Sequence, residues 1–180
     1  VIISISSYQG YISWNEKKLN ENSEEFFNAL ENLENKKFSK SSQIFLKSSL
    51  EQNSGYKTLS LFGLAESNFK NGKIKEMISN YKSIYTDNSI DSYYKHLARI
   101  LSVMKDDVSS FENLQSRLKP ILNNPSKLQM LAAEVEIGLF IRFNRLDKAI
   151  QSLKTLLNRP DITYEQKNRL DLINKVYSSN

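Results

Sequence analysis

The stretch KLQMLAAEVEIGLFIRFNRLDKAIQSLKTLL, from Lys127 to Leu157, is an apolar helix, a short polar break at Asn144-Arg145 and a second, amphipathic helix. Its first part sets the small residues Ala133 and Gly138 among large apolar ones. Its second part places Leu146, Ala149, Ile150, Leu153, Leu156 and Leu157 at the i, i+3, i+4 and i+7 steps that a helix gathers on one face. The same order recurs upstream in YKTLSLFGLAESNFKNGKIKEMISNYKSIY, Tyr56 to Tyr85. There Gly63 and Ala65 are the small residues, Asn71-Gly72-Lys73 is the break, and Ile74, Met77, Ile78, Tyr81 and Ile84 form the second stripe. Neither copy alternates with the period of two that a strand requires.

Outward from these two copies, Phe38, Ile74 and Leu146 hold one place, just after the turn, and a weaker mark stands at Val108. The four marks are 36, 34 and 38 residues apart, the spacing of a tandem array of helical hairpins. The first copy is degenerate and uses Phe26, Phe27, Leu30 and Leu33, then Phe38, Ile44, Phe45 and Leu50. The third uses Tyr94, Leu97, Ile100, Leu101 and Met104, then Phe111, Leu114, Leu118, Ile121 and Leu122, with Pro120 expected to kink its second helix. A last amphipathic segment, with Tyr164, Leu170, Ile173 and Val176, follows Arg159-Pro160-Asp161. Its polar set, Glu165, Lys167, Asn168, Arg169, Asp171 and Lys175, suits the outer face that a terminal repeat needs.

The pattern resembles the tetratricopeptide repeat from about Ser23 to Asn180, chiefly at Gly72, Ala149 and Pro160; Ser41 and Met77 depart from it, standing where Ala149 stands in the last copy. The expected fold is all-α: an α-solenoid of about four antiparallel helical hairpins, degenerate tetratricopeptide repeats, with a C-terminal capping helix. Residues 21–180 form that domain, and residues 1–20 are assigned to the end of an N-terminal membrane anchor and a juxtamembrane helix.

Composition bounds the chemistry. A chain of 180 residues with a net charge of +5, spread without runs of like charge, fits a solvated, mildly basic surface better than a nucleic-acid groove. Cysteine is absent and His96 is the single histidine, so neither a disulfide framework nor the usual zinc sets can form. The pairs Glu24-Glu25 and Asp106-Asp107 point about 100° apart on a helix and read as cap or solvent residues. Glu134 and Glu136 lack a histidine or lysine at catalytic spacing, and the isolated glycines form no phosphate loop. No catalytic, cofactor-binding or metal-binding residue is expected.

Val1 to Ile12 carries no charged side chain, and Tyr8, Tyr11 and Trp14 recur at a step of three before Asn15-Glu16-Lys17-Lys18. Such aromatics suit the interface where a membrane helix leaves the bilayer. The segment is shorter than the roughly 20 residues a span requires, so the expectation is the trailing part of a single N-terminal anchor. An amphipathic helix on the first hairpin, or the tail of a signal sequence, are the alternatives.

Stacked helical pairs bind extended peptides or helices on a concave face. In the register set by Ala98 and Gly138, the groove-facing positions include Phe62, Glu66 and Lys70, then Lys95 and Arg99, then Leu139, Arg142 and Phe143. Of these, Phe62, Lys70, Lys95, Arg99, Arg142 and Phe143 are the candidate partner-binding residues, for an acidic or amphipathic segment. Packing of half of them against the N-terminal helix is the plainer alternative. The aromatic N-terminal exit, the helix from Glu24 to Leu33, the uneven copy through Leu118-Lys119-Pro120-Ile121-Leu122 and the Leu157-Asn158-Arg159-Pro160-Asp161 exit together resemble the YfgM-like ancillary subunits of the Sec translocon. That resemblance implies a single-pass inner-membrane protein with its repeats in the periplasm, near Sec subunits and a periplasmic chaperone, without catalytic residues. A soluble or lipid-anchored adaptor of envelope assembly and a cytosolic co-chaperone adaptor are the competing readings.

Overall fold

The computed structural model describes residues 23–50 and 56–177; among them the chain is all helical, with no strand. The candidate interface residues Tyr8, Tyr11 and Trp14 lie outside the described residues. No helix among the described residues is long and apolar enough to cross a membrane.

The chain divides into two compact units, Val1–Ala98 and Arg99–Asn180. The first holds α1 (residues 23–34), α2 (Phe38–Ser49), α3 (Lys57–Lys70), α4 (Ile74–Thr86) and the start of α5 (Ser92–Lys105). The second holds the rest of α5, then α6 (Phe111–Leu122), α7 (Gln129–Arg142), α8 (Leu146–Leu157) and α9 (Tyr164–Tyr177). Phe38, Ile74 and Leu146 are indeed the first residues of α2, α4 and α8. The third mark moves from Val108 to Phe111, so the even-numbered helices start 36, 37 and 35 residues apart. Val108 is 65% exposed in a connection that Asp106 organises. The odd-numbered helices α3, α5, α7 and α9 all have 14 residues.

Three hairpins turn in the same way. Lys36, Gly72 and Asn144 adopt φ of 59°, 74° and 55°, the left-handed region that ends a helix. After each, the next amide bonds the carbonyl five residues back: Lys37 to Asn32, Lys73 to Asn68 and Arg145 to Phe140, all at 2.8 Å. These are Schellman closures, and they satisfy carbonyls that the helix end would otherwise leave bare. The hairpin between α5 and α6 closes differently, through the Asp106 side chain.

In the first unit, α2 and α3 run antiparallel with small residues along the seam. Ser41 Oγ is 2.9 Å from Ser67 Oγ, Ser60 Oγ donates to Ser48 Oγ at 3.0 Å, and between them the Phe45 ring lies over Gly63. A Cβ on Gly63 would stand 2.5 Å from that ring, so this position admits no side chain without displacement. Ala29, Phe45 and Leu64 form the adjoining core, with Phe26, Leu30, Leu33 and Ile44 packed against it. Phe27 and Leu50, expected on the apolar stripes, are instead 58% and 72% exposed.

The second unit has a larger apolar core. Ile100, Leu114, Leu118, Ile121, Ala149, Leu153 and Leu170 are all fully buried in one cluster. Phe111 stacks on Phe140 at 5.5 Å and meets Phe143 edge-on at 5.6 Å. Helix α6 continues through Pro120 to Leu122, and the proline leaves the Ser116 carbonyl without the amide donor that another residue at 120 would supply. Thr163 and Gln166 form a reciprocal capping box at the start of α9, which anchors by Leu170 and by Arg169 on Glu134 at 2.8 Å. The polar residues expected on its outer face are exposed, but so are Tyr164, Leu172 and Val176. Tyr164 and Val176 therefore lie off the buried stripe assigned to them, which consists of Leu170 and Ile173.

Candidate functional site

The six candidate partner-binding residues divide between the units. In the first unit, Phe62 is half-buried, its ring 6.1 Å from Tyr81 and 6.3 Å from Tyr94. Lys95 is half-buried on α5, and Lys70 is exposed at the end of α3. Lys70 lies about 12 Å along the helix from Phe62 at 1.5 Å per residue, too far for both to hold one side chain. Its charge complements the carbonyl end of α3.

In the second unit, α5 and α7 border a pocket of about 300 Å³, lined by Val103, Met104, Val135, Gly138, Leu139 and Arg142. Met104, expected on the buried stripe of α5, is 58% exposed here. Gly138, one of the small residues set among large apolar ones, is exposed, and no atom of the described residues lies within 4 Å of the Cβ it lacks. Its hydrogen therefore leaves open space where Gly63 relieves a collision. Arg142 is exposed overall, yet fixed at two points: Nη1 donates to the Asp106 carbonyl at 2.9 Å, and the guanidinium lies 5.1 Å from the Phe143 ring. Among the described residues no carboxylate pairs with it. Phe143 is half-buried and packs against Phe111 at the margin of the second unit's apolar core. Arg99 is half-buried on α5, one turn before Val103.

What holds this end of α5 in place is a buried ion pair. Asp106 is fully buried, and its carboxylate meets Arg117 Nη2 at 2.8 Å. Oδ1 accepts from the Val108 and Ser109 amides, and Oδ2 from Ser109 Oγ. Arg117 also donates to Asn113 Oδ1 at 2.7 Å and to Ser109 Oγ at 3.2 Å. Burial alone would raise the Asp106 carboxyl, but the hydrogen bonds from Ser109, Val108 and Arg117 outweigh it and hold the group below the ordinary carboxylate range. Asp106 was expected to be a solvent or cap residue of a helix starting near Val108; it is a buried hub, and Ser110 caps α6 instead by accepting from the Asn113 amide. The acid-hydroxyl run Asp106-Asp107-Val108-Ser109-Ser110 was the available sign of a side-chain turn; nothing local pointed to Arg117.

The other acidic pairs have structural partners. Glu25 pairs with Lys47, Glu134 with Arg169, and Glu136 accepts from Gln115 Nε2 at 3.0 Å. His96 is half-buried on α5. Among the described residues no group of three or more histidine, cysteine, aspartate or glutamate side chains converges to hold a metal ion. Comparison with protein-family models, with curated proteins and with solved structures finds no match to this chain.

Proposed function

We propose that this chain is a non-catalytic scaffold, an α-solenoid of degenerate tetratricopeptide-like hairpins that holds a segment of another protein between the first helices of successive hairpins. The observation that carries this reading is the α5–α7 pocket: an open, mainly apolar concavity beside a fixed guanidinium without a carboxylate partner among the described residues. Regular starts of the even-numbered helices and the three matching Schellman turns support the repeat description. A pocket of this size sits at the low end of ligand sites, about 300–1,000 Å³, and suits one or two side chains.

We place the scaffold in the bacterial envelope, tethered to the inner membrane by a segment that includes Tyr8, Tyr11 and Trp14, with its repeats in the periplasm beside Sec subunits and a chaperone. This part rests on the sequence resemblance and the aromatic series alone. The role is to hold or hand on newly translocated chains. Crosslinking of the full-length protein in native membranes, with partners identified by mass spectrometry, tests it. Recovery of Sec subunits or a periplasmic chaperone is the expected result. Cytosolic partners, with no protein in the membrane fraction, would overturn the location.

A further inference from the structure

Two glycines in equivalent company have opposite surroundings, and the contrast singles out one of them. Glycine inside a helix is destabilising by about 1 kcal/mol relative to alanine. Gly63 has a packing reason, since the Phe45 ring fills the place of its side chain. Gly138 has none among the described residues, which leave the space above it open as part of the pocket between α5 and α7. Any larger residue at 138 would project into that pocket.

The walls are apolar: Val103 and Met104 from α5, Val135 and Leu139 from α7. Among the described residues Arg142 is the one charged residue of the lining, and none of the lining residues is acidic. Asp106 gives Arg142 its backbone carbonyl, while its carboxylate is engaged by Arg117, Ser109 and the Val108 amide. Arg142 is thus oriented, and no carboxylate among the described residues neutralises it. A guanidinium held this way presents its remaining donors to an incoming carboxylate, the geometry in which charge-assisted hydrogen bonds are strongest.

We propose that this pocket is a specificity subsite for an acidic peptide segment: one unbranched or leucine-like side chain enters above Gly138, and the carboxylate of a neighbouring aspartate or glutamate meets Arg142. This rests on the scaffold reading above and narrows it to one residue pattern. Size selects a single aliphatic side chain, exposed Met104 adapts to its shape, and charge selects acidic over basic flanks. Basic segments are disfavoured by Arg142, which would be left with an uncompensated like charge.

The test uses the full chain and a fluorescein-labelled, C-terminally amidated octapeptide with one leucine between two aspartates in a Gly/Ser background. Isotope-edited NMR reads the Met104, Val103, Val135 and Leu139 methyl groups and the Gly138 amide during titration, and polarisation reads the affinity. Shifts confined to those groups are expected. Replacing the aspartates by lysine should abolish binding, and Arg142→Gln should weaken it about tenfold. Gly138→Leu should remove binding while the helical circular dichroism is kept and the melting temperature does not fall. A free C-terminal carboxylate that binds better than the internal aspartates would overturn the assigned source of charge. Shifts at other residues, binding unchanged in Gly138→Leu, or no binding at millimolar peptide would overturn the subsite. In each of those cases, partner capture by the wild-type chain in native membranes still decides the scaffold reading separately, since an absence of any crosslinked partner would count against that reading and not against the pocket alone.

Discussion

The α2–α3 seam of the first unit and the α5–α6 corner of the second solve the same problem, two helices brought close, by different chemistry. The first uses small residues and hydroxyls: Ser41 and Ser67, Ser48 and Ser60, with Gly63 beneath Phe45. Each hydroxyl is paired, so burial leaves no bare polar group. The second uses an ion pair, Asp106 with Arg117, wrapped by Ser109 and Asn113 and surrounded by an apolar core. Neutral hydroxyl pairs make close approach possible with small penalties if one is lost. A buried charge pair is tolerant of nothing, because removing one member strands the other in a low-dielectric site. The difference teaches where each unit is vulnerable: the first to added volume, the second to lost charge.

The largest break in that comparison should be Arg117→Met. It leaves the Asp106 carboxylate buried without its cation and should cost about 3–5 kcal/mol, seen in urea unfolding and in faster hydrogen exchange of α6 and α7 amides. Adding Asp106→Asn to the same variant should restore part of the loss; a single-variant loss under about 1 kcal/mol would mean that the pair behaves as a surface contact.

Acid sharpens the same contrast. Because Asp106 titrates lower in the folded chain than unfolded, its contribution is present above the unfolded value, about 4, and is lost as pH falls through the folded value. Exchange protection in α6 should therefore drop in acid, and the Asp106→Asn/Arg117→Met variant should lose that dependence. The serine seam has no titrating group. Asp87 in the first unit is held down to about 2, chiefly by hydrogen bonds from Ser89, but it is half-buried beside solvent and contributes little.

Next in size comes alanine placed at each of two glycines. Gly63→Ala drives a methyl into the Phe45 ring and should destabilise by about 1–3 kcal/mol. Gly138→Ala meets nothing and should stabilise by up to about 1 kcal/mol through helix propensity. Equal effects in paired thermal melts would erase the distinction between a glycine kept for contact and one kept for space.

The smallest changes concern the turns. Lys36 carries a side chain in the left-handed region where Gly72 carries none. Lys36→Gly should gain, and Gly72→Ala should lose, about 1 kcal/mol. Opposite signs in denaturant midpoints are expected; like signs would show that the two turns are not equivalent.

Much of the helical plan was legible in the chain. Phe38, Ile74 and Leu146 marked helix starts to the residue, because the polar break followed by an amphipathic stripe is a local pattern. The third start was misplaced by three residues, from Val108 to Phe111, since the Asp106 turn depends on Arg117 eleven positions away. The surroundings of the candidate partner-binding residues were less legible. Leu139 and Arg142, three residues apart on α7, do line one pocket, whereas the packing of Phe143 on Phe111 depends on a residue 32 positions away and could not be read from helical register.

Residue periodicity alone settled the helical class, the hairpin spacing and most turn positions, because these follow from backbone propensity and from apolar residues seeking one face. Which glycine is filled by a neighbour, which aspartate is buried and which arginine that aspartate pairs with were decided in three dimensions. Those properties belong to pairs of side chains far apart in the chain, and they exist only once the helices have packed.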